Sequence, residues 1–201
     1  MNSPSWWCRS QVALSEKSAS LDERVVQDTR RWLEKAVIGL NLCPFAKAAH
    51  VNERIHYAVS RETSTKRLLE RVALEIEALQ QHSASERETT LLMAPCCLHD
   101  FFDFNDFMGT ADRLLARAGL EGVIQLASFH PAYQFADATP DDIGNCSNRS
   151  PYPTVHLLRE ASIDGALAAF PRPERIYEAN LATLARLGPE GWAALGVGPT
   201  A

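Results

Sequence analysis

The sequence has no Walker loop, no GxGxxG turn and no GxSxG elbow, so the usual phosphate-cradling, dinucleotide and serine-hydrolase readings lack their motifs. It has no Cys-x-x-Cys pair, and the adjacent Cys96 and Cys97 could close a disulfide only with strain, which speaks against a zinc knuckle or dithiol redox centre. Runs of Lys or Arg are missing. With 25 acidic against 20 basic side chains and a formal charge of −5, neither nucleic acid nor an anionic membrane is expected as a partner. No window approaches the roughly 18 apolar residues of a membrane helix, and residues 1–20 lack both the basic and the apolar region of a signal peptide. Five cysteines at irregular spacing fit a reduced, cytoplasmic setting.

What is present is a globular composition, 46% hydrophobic and 22% charged over 201 residues, enough for one sizeable core. The expected organisation is a flexible leader over 1–20 and a single domain over 21–201. Ser20 and Glu23 read as a capping box, and Val25, Thr29, Trp32, Leu33, Ala36, Val37 and Leu40 fall on one stripe of a helix from about Asp22 to Leu40. Pro44 can open the next helix, which places Cys43 at its N-cap.

Alternation around Ile55, Tyr57 and Val59 predicts a strand, and the spacing of Leu68, Val72, Ile76 and Leu79 a helix. A short strand over Thr89 to Met93 precedes a helix that opens at Asp100, carries Phe104, Phe107, Leu114 and Leu115, and closes at Gly119. Strands follow over Val123 to Phe129 and around Val155 and Leu157. Helices are then expected from Ser162 to Phe170 and from Pro173 to Gly188. The pattern reads as α/β (or α+β), a mixed sheet of about four strands with five to six helices, and Trp32, Phe104, Phe107, Leu114 and Leu126 in a common core.

The interval 130–153 is too long and polar for an ordinary connection and carries the aromatics Tyr133, Phe135 and Tyr152. It is expected to be an ordered loop forming one wall of the main cleft.

The runs WLEKAVIGLNLCPFA (32–46), DFNDF (103–107), SFHPAYQF (128–135) and NRSPYPTVHLLRE (148–160) resemble an uncharacterised bacterial family, domain of unknown function 1415, over roughly residues 22 to 195. The resemblance implies a bacterial cytosolic protein and no particular activity, cofactor or catalytic residue. Separately, Cys43-Pro44-Phe45-Ala46 is similar to the active-site turn of omega-class glutathione transferases and glutaredoxin-like proteins, where such a cysteine holds a mixed disulfide with glutathione. There the turn follows a short strand; here a long helix precedes it.

Cys43 at a helix start would meet unpaired N–H groups that favour its thiolate, against a reading as a small buried hydrophobe. His130, just beyond a strand end, could act as acid or base, or be satisfied by backbone carbonyls. In Asn148-Arg149-Ser150 the guanidinium could clamp an anion or pair with Asp141 or Asp142. Tyr133 joins this candidate ligand site. Asp100, Asp103 and Asp106 are better helix-capping acids than metal ligands, so no metal is assigned. His156 alternates with Val155 and Leu157, a solvent-facing or core-satisfied position.

Two functional classes follow. One is a small-molecule enzyme combining the Cys43 thiol, His130 and the Asn148/Arg149 loop around a small anionic or thiol ligand. The other is a non-catalytic small-ligand or anion-binding module using the same cleft, or a scaffold for a protein partner. The sequence names no cofactor and no oligomeric state.

Overall fold

The computed structural model describes residues 21–168, 172 and 174–200, so the leader, the expected helix end at Phe170 and the expected start at Pro173 lie outside the described residues. Helix α1 spans 21–32 and continues as a wider π-helical stretch, Leu33–Ile38. Helix α2 is Ala46–Val51, α3 Thr65–Gln81, α4 Phe101–Arg117, α5 Glu160–Ala168 and α6 Glu174–Ala194; the strands are β1 Ile55–Val59, β2 Thr89–Met93, β3 Ile124–Phe129 and β4 Thr154–Arg159. A 3-10 helix, Ile143–Asn148, interrupts the long loop.

These strands form one mixed sheet in the order β1-β2-β4-β3 within a single α/β domain. Crossover through α3 makes β1 and β2 parallel, as strands separated by a helix should be. The loop after β3 brings β4 back antiparallel between β2 and β3, so β3 runs along β2 without touching it.

Strand alternation divides the core. Ala58, Leu92, Val155 and Leu157 pack with α3 and α4 through Leu68, Leu79, Phe104, Phe107 and Leu115, with Leu114 and Leu126 at the margin. On the opposite face Leu91 and Met93 meet Trp32, Leu33 and Val37 of α1. The common core expected from the sequence is therefore two half-cores. Trp32 belongs to a different one from Phe104 and Phe107, because a strand sends successive side chains to opposite faces and the sheet lies between.

Asp100 caps α4 by accepting from the N–H groups of Phe102 (2.8 Å) and Asp103 (3.0 Å). Helix α5 starts at Glu160, directly out of β4, with Ser162 already inside it. Gly188, at φ 66°, breaks the course of α6, and Pro189 opens its last stretch. That bend returns Trp192 and Val197 to α1. There Arg31 donates to the carbonyls of Gly196 (2.9 Å) and Gly198 (2.9 Å). The buried Asp28 accepts from the Thr200 N–H (2.9 Å), the Tyr152 hydroxyl (2.8 Å) and Arg31 (2.6 Å).

Candidate functional site

The face of the sheet beneath α1 is incompletely covered. A cavity of about 610 Å³ opens there, with Trp32, Leu33, Val37, Phe45, Leu91 and Phe129 among its walls. Leu33 and Val37 come from the π-helical stretch, a geometry that often marks functional sites. β2, β3 and β4 supply Thr89, Ala127, His156 and Leu158, all on one face by the sheet register, and α5 closes the rim with Ser162 and Ile163.

Cys43 lines this cavity and is half-buried. It does not cap a helix. Pro44 favours a turn, in which the Ala46 N–H donates to the Cys43 carbonyl (3.3 Å), so α2 begins only at Ala46, after Phe45. The N-cap position of this six-residue helix is Phe45, not Cys43. Cys97 and Cys146, remote from the cavity, are buried, and burial pushes their thiols up.

His156 is the imidazole in the cavity wall. Thr89 Oγ1 donates to the Leu157 carbonyl (2.6 Å), so it must accept from His156 Nε2–H (2.7 Å), and Nδ1 is left with the lone pair. Burial holds the ring neutral, bringing its pKa down to about 4. The clue was the period-two alternation of β4, which turns His156 away from the Val155 and Leu157 core. It is the covering helix on that second face that sequence pattern does not place.

His130 lies elsewhere. It follows Phe129 at the end of β3 and is fully buried on the α4 side, 5.2 Å between ring centres from Phe104 and 5.5 Å from Phe101. Nδ1 accepts from the Ala132 N–H (3.0 Å), so Nε2 carries the proton and donates to the Leu98 carbonyl (3.0 Å). Burial lowers its pKa, opposed by the Leu98 carbonyl and Asp100. Both ring nitrogens are engaged by backbone. The structure does not place His130 in the Cys43 cavity.

The other candidates hold the loop together. Arg149 donates to the carbonyls of Pro140 (2.6 Å) and Tyr133 (3.3 Å), while Asn148 accepts from the Ser147 hydroxyl (3.0 Å) and presents its carbonyl to the His130 N–H (3.1 Å). The Ser150 hydroxyl donates to the Tyr152 carbonyl (2.6 Å), and Tyr133 packs between Phe101 and Phe135 at 5.1 and 5.0 Å. The loop is thus built as expected from its own aromatics and polar groups, but it does not line the large cavity. Its bonds turn it toward α6, where Phe135, Asp142 and Asn145 face Tyr177 and Leu181 across a smaller cavity of about 370 Å³.

Among the described residues no helix is long and apolar enough to cross a membrane. No curated protein and no solved structure matches the chain. A family model described as "Protein of unknown function (DUF1415)" matches residues 24–194, and the chain belongs to that family.

Proposed function

We propose that the protein is a cytoplasmic binder of a small, mostly apolar molecule held in the cavity between α1, α2, α5 and the sheet. The observation that carries this reading is the cavity itself. At about 610 Å³ it falls within the roughly 300–1,000 Å³ usual for small-ligand sites, and aromatic and aliphatic walls surround a few polar groups. Burying an apolar molecule against Trp32, Phe45 and Phe129 supplies the affinity. The His156 lone pair, the Thr89 and Ser162 hydroxyls and the Cys43 thiol supply orientation.

Covalent chemistry at Cys43 is a second reading, favoured by the position of this thiol in the cavity wall. Its imidazole partner would then be His156, which lines the same cavity, rather than His130. The Asn148/Arg149/Ser150 segment supports the loop in both readings.

The test is capture of metabolites from a cell extract by the purified protein, read by native mass spectrometry, with Ala127→Trp as the comparison. Ala127 lies on the cavity wall in β3, and an indole there occupies space a ligand needs. The expected result is a retained small molecule on the wild type and none on an Ala127→Trp protein of unchanged melting temperature. Equal retention by both proteins contradicts the site.

A further inference from the structure

The polar groups in the walls of the large cavity are of two kinds, those that can turn and one that cannot. Cys43 and Ser162 carry S–H and O–H groups that rotate, so each can donate or accept, and neither selects between ligands of opposite polarity. His156 is fixed. The Leu157 carbonyl takes the Thr89 hydroxyl proton (2.6 Å), which leaves the Thr89 oxygen to receive Nε2–H of His156 (2.7 Å). The bonds from carbonyl to hydroxyl to imidazole thus run in one direction. Their open end is the Nδ1 lone pair, which has no hydrogen-bond partner among the described residues. Although protein surrounds the ring, His156 keeps some accessible surface, and that surface belongs to the cavity it lines.

The surroundings are neutral. Thr89 and Leu91 of β2, Leu158 of β4, and Ala127 and Phe129 of β3 share this face of the sheet with His156, and none of them is ionisable. The charged residues at the strand ends are already engaged, Glu88 with Arg54 (3.4 Å) and Arg159 with the carbonyls of Leu79, His82 and Arg87. A carboxylate in the cavity would set its lone pairs against that of Nδ1, and burial keeps the ring from taking up the proton that would relieve this. An ether or ketone oxygen, an acceptor only, likewise leaves Nδ1 unpaired. A hydroxyl also suits the site better than an amide, whose carbonyl would find no fixed donor among these apolar walls.

We infer that Thr89 locks His156 as an acceptor and so selects the ligand class, a neutral apolar molecule carrying one hydroxyl that donates to His156 Nδ1. The inference rests on the proposed ligand site and names the chemistry that site selects. Thr89 acts through the imidazole as a positioning residue, and His156 meets the ligand.

The test compares decan-1-ol with its isomer methyl nonyl ether by titration calorimetry at pH 7.5, on wild-type protein and on Thr89→Val. The wild type is expected to bind the alcohol about tenfold more tightly, since the ether leaves Nδ1 unpaired. In Thr89→Val no hydroxyl holds the proton on Nε2, so the ring can carry it on Nδ1 and donate to an ether oxygen. The preference should then fall to within about twofold, through a gain for the ether. Long-range proton–nitrogen correlation spectra of the imidazole read the same switch independently, with the proton on Nε2 in the wild type and divided between Nε2 and Nδ1 in Thr89→Val. The wild-type comparison and spectrum decide the matter even if Thr89→Val fails to fold. Equal wild-type affinities, or a wild-type proton on Nδ1, overturn the hydroxyl inference and leave the apolar site standing. An unchanged preference in Thr89→Val overturns the role of Thr89. Binding of neither probe overturns the ligand site as well.

Discussion

His156 offers a sharp test of how the cavity wall is built. Its ring packs 5.7 Å from Phe129 between centres, donates to Thr89, and has a pKa near 4 in the folded chain against an ordinary 6.5. Above pH 6.5 the imidazole is neutral in both folded and unfolded chains, so it costs nothing. As pH falls below that value the unfolded chain takes up a proton that the folded chain refuses, and stability is lost down to about pH 4. Between pH 7.5 and 4.5 the shift corresponds to a loss of about 2.5 kcal/mol, and the ring's residual access to the cavity reduces this to about 1–2 kcal/mol. His156→Gln keeps a donor for Thr89 and removes the titration. Urea unfolding of both proteins at the two pH values reads the difference, in which the contributions of His56 and His130 cancel. The wild type should lose about 1–2 kcal/mol more than His156→Gln over this interval. Equal losses would refute the burial of a neutral imidazole at this position.

Phe107, 5% exposed in the α3/α4 half-core, should cost about 3–5 kcal/mol when truncated to Ala, measured by denaturant unfolding; a cost below about 1 kcal/mol would mean the ring is not packed. Asp28→Asn should cost about 3 kcal/mol at pH 7 by the same measurement, since it takes an anion from Arg31, Tyr152 and Thr200. Burial pushes the Asp28 carboxyl up, but those hydrogen bonds outweigh it and hold it below the ordinary value. Its contribution is accordingly intact above about pH 4 and lost as pH falls through the folded value, and Asp28→Asn should flatten the acid limb of the stability curve. Iodoacetamide, followed by peptide mass, should modify Cys43 and the half-buried Cys96 before the buried Cys97 and Cys146. Decan-1-ol should protect Cys43 and leave Cys96 unprotected.

The sheet and its main helices are legible because their signals are local. Val72, Ile76 and Leu79 repeat at the helical period and Thr89 to Met93 is a short β-rich run, so α3, β2, the Asp100 cap and the Gly188 break can be read from neighbouring residues alone. Cys43 could be singled out as a residue of interest, and it does line the cavity. Its local geometry could not be read: Pro44 serves a helix start and a turn equally well, and only the chain's exit from the π-helical stretch selects the turn.

His130 and His156 show the same limit over a longer range. Both terminate or occupy strands, yet one faces the α4 aromatics and the other the space beneath α1, because β4 inserts antiparallel between β2 and β3. Which helix covers which face is a property of tertiary packing that strand periodicity does not contain. Arg149 likewise reads in sequence as an anion clamp or a partner of Asp141 or Asp142, but the loop's own carbonyls at Tyr133 and Pro140 take up its donors once the chain folds back.

Mapping backbone amide shifts while decan-1-ol is titrated into isotope-labelled protein shows whether the space between α1, α2, α5 and the sheet holds a ligand. Saturable shifts are expected at Cys43 to Ala49, Thr89 to Leu91, Ala127 to Phe129 and His156 to Ile163, with the 130–153 loop unmoved. Shifts centred on Phe135, Asn145 and Tyr177, or none that saturate, would contradict a ligand site there.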